Sequence, residues 1–170
     1  IDNIRVENIL PATQLGSDID GEAAGDYSGC SVSMNSAGDR VAIGAWKNSG
    51  YTGHVRIYEY INGSWTQLGI DIDAEATGDY SGCSVSMNSA GNRVAIGAER
   101  NDGNGGQSGH VRIYDYSGSS WSQLGSDIDG EAAGDRSGRS VSIDSDGDRV
   151  AIGATSNDAT GNSAGHVRVY

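Results

Sequence analysis

Three short runs of this sequence place carboxylates at alternating positions. They are Asp18, Asp20, Glu22 and Asp26, then Asp71, Asp73, Glu75 and Asp79, then Asp127, Asp129, Glu131 and Asp135. Hard oxygen ligands spaced in this way suit Ca2+. Asp and Asn beside Gly also make turns without any metal, and on sequence grounds both readings stay open. Histidine occurs at His54, His110 and His166, once in each of three similar segments. Three imidazoles around one ion is one reading of them. Their recurrence a whole segment apart favours the other, a structural role at the start of a strand in each segment.

Other chemistry is not supported by the residues present. No Ser stands in a nucleophile elbow, and there is no HExxH motif or phosphate-binding Gly loop. The two cysteines, Cys30 and Cys83, do not form a CxxC pair. Carboxylates are abundant but recur with the segments, whereas acid–base catalysis needs two carboxylates in unlike environments. The chain is therefore expected not to be an enzyme. Its formal net charge of −12 and pI near 4.4 argue against binding nucleic acid or anionic membrane, whose phosphates call for Lys and Arg. No apolar run is long enough to span a bilayer.

The elements that must position these groups follow from the repetition. Gln14-Leu15-Gly16 returns as Gln67-Leu68-Gly69 and Gln123-Leu124-Gly125. Length varies only between Ala45 and Gly53 and its counterparts, Ala98 to Gly109 and Ala154 to Gly165, which marks a surface loop. The chain divides into an N-terminal segment 1–11, a linker or a donated strand, and repeats over 12–66, 67–122 and 123–170. Each repeat reads as four strands. In the first, Ser31–Met34 alternates polar and apolar residues. Val41–Ala45 is apolar or tiny on both faces, and His54–Tyr58 is β-branched and aromatic. Ser64–Leu68 follows an Asn62-Gly63 hairpin turn. The third repeat ends before its fourth strand, and the chain enters on a strand of that fourth type over Ala12–Ile19. A four-stranded antiparallel sheet covered on both faces must stack on its neighbours, and radial stacking makes a propeller blade. The fold class expected is all-β: three tandem four-stranded antiparallel propeller blades, forming an incomplete propeller or one completed between chains. In such blades the acidic four-to-one connections share one end with the two-to-three connections, which carry Asn101-Asp102-Gly103-Asn104 and Asn157-Asp158.

The run Tyr27-Ser28-Gly29-Cys30-Ser31-Val32, followed by Val41-Ala42-Ile43-Gly44-Ala45, resembles the FG-GAP repeat that builds the propeller of integrin α-subunits. It is similar above all to the FG-GAP-like repeats of secreted proteins from marine bacteria and algae. The resemblance covers about residues 12–170, and it departs where the usual final Pro is Trp46, Glu99 or Thr155. It implies an extracellular location and a second possible Ca2+ position, the turn between strands one and two. Only the third repeat keeps the acids there, Asp144, Asp146 and Asp148, and Asp-x-Asp-Gly-Asp is also an ordinary turn sequence. It further implies that strand one is innermost, which brings Cys30 and Cys83 near one another. A Cys30–Cys83 disulfide is the favoured expectation, with two buried free thiols as the alternative. Asn62-Gly63-Ser64 is the one N-glycosylation sequon.

Two functional classes remain. One is an extracellular structural or adhesive module that polymerises with itself, head to tail, as a filament or surface-layer subunit. Open sheet edges recruit strands from other chains, and Ile1–Leu10, with Ile1, Ile4, Val6 and Ile9, is a candidate for donation. The other is a propeller fragment that binds an extracellular protein or glycan through its acidic loop face.

Overall fold

The structure, a computed structural model, describes residues 13–170. The Ile1–Leu10 segment and Ala12 lie outside the described residues. The chain is all-β, in three antiparallel sheets, the first two of which draw the last part of their outer strand from beyond residues 66 and 122. Sheet one contains β1 (Ser31–Met34), β2 (Arg40–Ala45), β3 (His54–Ile61), β4 (Ser64–Gln67) and β5 (Ile72–Asp73). A four-residue helical turn, α1 (Asn48–Tyr51), lies between β2 and β3. Sheet two repeats the pattern with β6 (Ser81–Met87), β7 (Arg93–Ala98), β8 (His110–Tyr116), β9 (Trp121–Gln123) and β10 (Ile128–Asp129). Sheet three stops at β11 (Ser137–Ile143), β12 (Val150–Ala154) and β13 (His166–Val169).

The outer strand differs from the sequence expectation. It does not end near Leu68. It runs as β4, bulges over Leu68–Asp71, and resumes as β5, so that both pieces pair with β3. Gly69 supplies the positive φ of 85° that the bulge requires. Part of the expected acidic connection is thus strand, and Asp73 pairs directly with His54, the first residue of β3. The β3–β4 turn is the tight hairpin that Asn-Gly predicts, with φ of 53° at Asn62 and 87° at Gly63.

The stretch from Thr13 to Ile19 is not a strand. An outer strand needs a β3-type partner, and no such strand precedes it among the described residues. It nonetheless has outer-strand shape, with Gly16 at φ 73° as Gly125 is.

Sheets stack through apolar faces. Ala42, Val55, Ile57 and Ile72 of sheet one pack on Val85, Met87, Val94, Ile96 and Tyr114 of sheet two. Ala95 and Val111 of sheet two pack on Ile143, Val150 and Ile152 of sheet three. Burying such side chains stabilises the stack by roughly 1.5–3 kcal/mol each. Backbones also meet between sheets. A Cβ at Gly44 would lie 2.1 Å from the Gly82 carbonyl oxygen, and one at Gly97 would lie 2.1 Å from that of Gly138.

The same polar bonds are made at both junctions. Ser31 Oγ donates to Gly82 O at 2.7 Å, and Ser84 Oγ to Gly138 O at 2.7 Å. Trp65 Nε1 donates to Leu15 O at 2.9 Å, and Trp121 Nε1 to Leu68 O at 2.8 Å. Trp121 therefore ties the outer strand of sheet two to that of sheet one, and Trp65 ties the outer strand of sheet one to the segment around Leu15. No helix among the described residues is long and apolar enough to cross a membrane.

Candidate functional site

The acidic four-to-one connections do meet the two-to-three loops, and the structure divides the acids by role. Asp26, Asp79 and Asp135 are buried clamps. Each Oδ2 accepts the backbone N–H three residues upstream at 3.0 Å, from Ala23, Ala76 and Ala132. The same oxygens accept the side-chain amides of Asn48, Asn101 and Asn157 at 3.1, 3.2 and 3.0 Å. Asp20, Asp73 and Asp129 contribute their backbone carbonyls, which accept Arg56, Arg112 and Arg168 Nη2 at 2.7, 2.7 and 2.5 Å. The Arg112 and Arg168 bonds run between successive sheets, and the aspartate clamps join the two kinds of loop within each repeat.

The remaining acids face the histidines. Bulging of the outer strand carries Asp71 beside His54, whose Nδ1 is 3.6 Å from Asp71 Oδ2 and 3.8 Å from Glu22 Oε2. One repeat later, His110 Nδ1 is 3.9 Å from both Asp127 Oδ2 and Glu75 Oε2, and 4.0 Å from Asp129 Oδ1. Glu22, His54 and Asp71, and likewise Glu75, His110 and Asp127, present one ligand atom each within 4.8 Å of one another. In the third repeat His166 Nδ1 is 3.5 Å from Glu131 Oε2. The position of the aspartate that would complete this group is on an outer strand, and sheet three has none among the described residues.

Each aspartate is aimed by a glutamine. Gln67 Nε2 donates to Asp71 Oδ1 at 2.6 Å and Gln123 Nε2 to Asp127 Oδ1 at 2.7 Å, leaving Oδ2 for the histidine. Asp18 is held in the same way by Gln14 at 2.8 Å, although no histidine stands beside it. The imidazole of His110 is 1% exposed, and neither ring nitrogen has a hydrogen-bond partner. Burial, reinforced by the Arg112 guanidinium, pushes its pKa down against the pull of Asp127, Glu75 and Asp79. The ring is thereby biased toward its neutral form, in which a nitrogen lone pair is available.

The histidines do begin their strands, as the repetition implies, but the expectation of a purely structural role missed their partners. A three-histidine cluster is absent from the ligand-capable groups among the described residues. The signal available was the fixed trio of Gln-x-x-x-Asp, acidic connection and strand-opening His in every repeat. It could be joined only by knowing that the acidic stretch turns back into the sheet.

The turn between strands one and two is built differently. Asp144 Oδ1 accepts the N–H groups of Gly147, Asp148 and Arg149 at 2.8, 3.0 and 3.2 Å. Asn35 and Asn88 do the same work in the other repeats with an uncharged oxygen. Asp146 and Asp148 are exposed, and Asp144, Asp146 and Asp148 are not gathered into a ligand group. The carboxylate here serves as a turn acceptor.

The expected Cys30–Cys83 bridge is not formed; both thiols are free. Cys30 Sγ donates to the Gly44 and Gly82 carbonyls at 3.3 and 3.4 Å, and Cys83 Sγ to those of Gly97 and Gly138 at 3.4 and 3.6 Å. Each thiol thus occupies its own sheet junction rather than bridging to its counterpart. Burial pushes the Cys83 thiol up to about 12. Asn62 is exposed at its hairpin turn.

The loop face also carries an aromatic group formed by the first two repeats. Trp46 lies 4.6 Å from Tyr80 and 5.7 Å from Tyr27 between ring centroids, and Tyr51 stacks on Tyr80 at 5.4 Å. Lys47 Nζ sits 4.1 Å over the Tyr27 ring.

No protein-family model matches this chain, and no curated protein matches it.

Proposed function

We propose that this chain is a non-catalytic extracellular structural or adhesive module of FG-GAP-like propeller blades, which assembles head to tail with copies of itself. The observation that carries the reading is that its two ends are mates. At the first end Val32 and Met34 are 62% and 53% exposed, whereas their counterparts Val85 and Met87, covered by sheet one, are 8% and 7%. At the last end Val167 and Val169 are each 68% exposed, whereas Val55 and Ile57, covered by sheet two, are 0% and 1%. Each open face is the surface that the internal junctions already pair with the other. Covering each of these side chains stabilises the contact by roughly 1–2 kcal/mol.

The strand complement points the same way. The outer edge of β13 has no partner among the described residues, and Gln14–Asp20 has outer-strand shape with no β3-type strand to pair with. Addition of that segment to β13 of another copy repeats the pairing of β5 with β3. A heterologous contact of this kind that does not close produces an open fibre. An extracellular setting agrees with the acidic surface and with the resemblance carried by the repeats.

Sedimentation across a concentration series, together with negative-stain micrographs, tests the reading. Open-ended oligomers are expected, and Val169→Glu, which charges one end only, yields monomers. A wild-type chain that stays monomeric at high concentration overturns it.

The aromatic group of Tyr27, Trp46, Tyr51 and Tyr80 supports a second reading, in which the loop face binds a glycan. Aromatic faces with flanking polar groups suit sugar rings. Discrete particles that are retained on immobilised glycan, with retention lost in Trp46→Ala, would favour it.

A further inference from the structure

We propose that the chain binds divalent transition-metal ions of the Zn2+ type, one per repeat, through a glutamate, the strand-opening histidine and the glutamine-held aspartate. The first site is Glu22, His54 and Asp71, and the second is Glu75, His110 and Asp127. The third has Glu131 and His166, and takes Asp18 from a second copy. This last assignment rests on the head-to-tail reading; the first two sites do not.

The buried ring of His110 is the strongest single reason. A polar side chain this deep without any hydrogen bond bears its full desolvation penalty, yet its Nδ1 faces carboxylate oxygens from two different segments. The separations of 3.6 to 3.9 Å in the two complete groups are too long for hydrogen bonds. They are close to what a shared ion requires. Two ligands each about 2.0–2.1 Å from a tetrahedral ion lie roughly 3.3 Å apart, so each carboxylate needs to close on its histidine by only about half an ångström.

Donor chemistry selects the class of ion. An imidazole nitrogen with two carboxylates suits Zn2+ and its neighbours, with water in the open fourth position. Ca2+ and Mg2+ take oxygen throughout, so the ion differs from the one the acidic spacing alone calls for. The glutamines supply the outer support such sites have. Each fixes one carboxylate oxygen and frees the other. The guanidinium near Glu22 leaves the ligand oxygen clear as well, because Arg56 Nη1 approaches Oε1 at 3.9 Å while Oε2 faces the histidine.

Recurrence makes the case twice. The same three residue types converge at two separate positions in one chain. In the third, Glu131 and His166 are in place, and His166 Nε2 is buried without a partner. At the opposite end Gln14 holds Asp18 in the pose of Asp71 and Asp127.

The test is titration of metal-stripped protein with Co2+, read by its visible ligand-field bands, and with Zn2+ and Ca2+ by calorimetry. Dilute monomer is expected to take two Zn2+ per chain, with bands marking nitrogen–oxygen ligation, and Ca2+ is expected not to compete. Glu75→Gln with Asp127→Asn removes one ion, and Glu22→Gln with Asp71→Asn removes the other. These side chains are 29–47% exposed, so circular dichroism should be unchanged. No Zn2+ binding, binding untouched by these variants, or displacement by Ca2+ overturns the proposal. At assembling concentrations a third ion per chain is expected, lost with zinc-dependent assembly in Asp18→Asn while two ions remain. Head-to-tail assembly without a third ion overturns the third site alone. Two ions bound to a chain that never assembles overturns the head-to-tail reading and leaves the internal sites standing.

Discussion

Replacing Gly97 by Ala tests how the sheets are held together. Gly97 lies in β7 outside the left-handed region, so the substitution adds no backbone strain of its own. The added Cβ would meet Gly138 O at 2.1 Å and Gly138 C at 3.0 Å, both backbone atoms of the next repeat. An ordinary contact needs well over 3 Å, so sheets two and three must part by about 1 Å, which forfeits a quarter to a half of each dispersion contact across the junction. Overpacking in a closed core costs about 1–3 kcal/mol, and an obstacle made of backbone places this case near 3 kcal/mol. For a chain of 170 residues, 1 kcal/mol moves Tm by about 2–4 °C. The expected fall is therefore about 6–12 °C. Gly153→Ala is the matched control. Its Cβ meets only Ser140, with the hydroxyl at 2.4 Å, and no backbone of another sheet. A hydroxyl rotates away, so the loss should stay below about 1 kcal/mol. Calorimetric melting of dilute monomer measures both. Equal shifts, or a Gly97→Ala shift as small as that of the control, would refute the claim that backbone contact sets the spacing of the stack. The head-to-tail reading adds that Gly153→Ala folds normally but does not assemble, since Gly29 of the next copy would occupy the place Gly138 takes beside Gly97.

Other outcomes follow from the same geometry. Trp121→Phe deletes the donor to Leu68 O and keeps most of the apolar contact, so urea unfolding should show a loss of about 1 kcal/mol. Asp135→Ala leaves the Ala132 N–H and the Asn157 amide without their acceptor in a buried site, for a loss of roughly 3 kcal/mol by the same assay. With its pKa raised to about 12 by burial, Cys83 should be alkylated by iodoacetamide at pH 8 on the order of a thousandfold more slowly than an ordinary thiol, as read by mass spectrometry; comparable labelling of Cys30 and Cys83 would contradict this. At Asp144, burial works to raise the pKa, but the Arg149 N–H, the Asp148 side chain and the Gly147 and Asp148 N–H groups outweigh it and hold the carboxyl low. A depressed pKa contributes stability above the unfolded value, about 4, that is lost as pH falls through the folded value. Asp144→Asn, the amide that Asn35 and Asn88 already supply, should flatten acid melting curves and leave neutral stability nearly unchanged.

The sequence determined much of this protein by local means. Period-two alternation located β1, apolar Val-Ala-Ile-Gly-Ala located the doubly covered β2 and its counterparts, and Asn62-Gly63 located the tight hairpin. Repetition marked three stacked sheets, because each repeat must bury its faces on the next. It also marked sheet three as one strand short. Those signals act within a strand or across one turn, where neighbours in sequence are neighbours in space.

What the tertiary structure alone decided is where the acids go. Asp71 and Asp127 read as loop residues because the bulge at Leu68–Asp71 hides the return of the chain into the sheet. Only pairing with β3 and β8 sets them beside His54 and His110. The same three-dimensional arrangement separates Asp26, Asp79 and Asp135 as buried clamps from Glu22, Glu75 and Glu131, which face the imidazoles. It also places Cys30 and Cys83 at separate junctions, each on its own carbonyls, where equivalent positions in the repeat favoured a bridge. Composition names the ligands a chain possesses, but convergence of groups tens of residues apart is a property of strand pairing and sheet stacking, which no local pattern records.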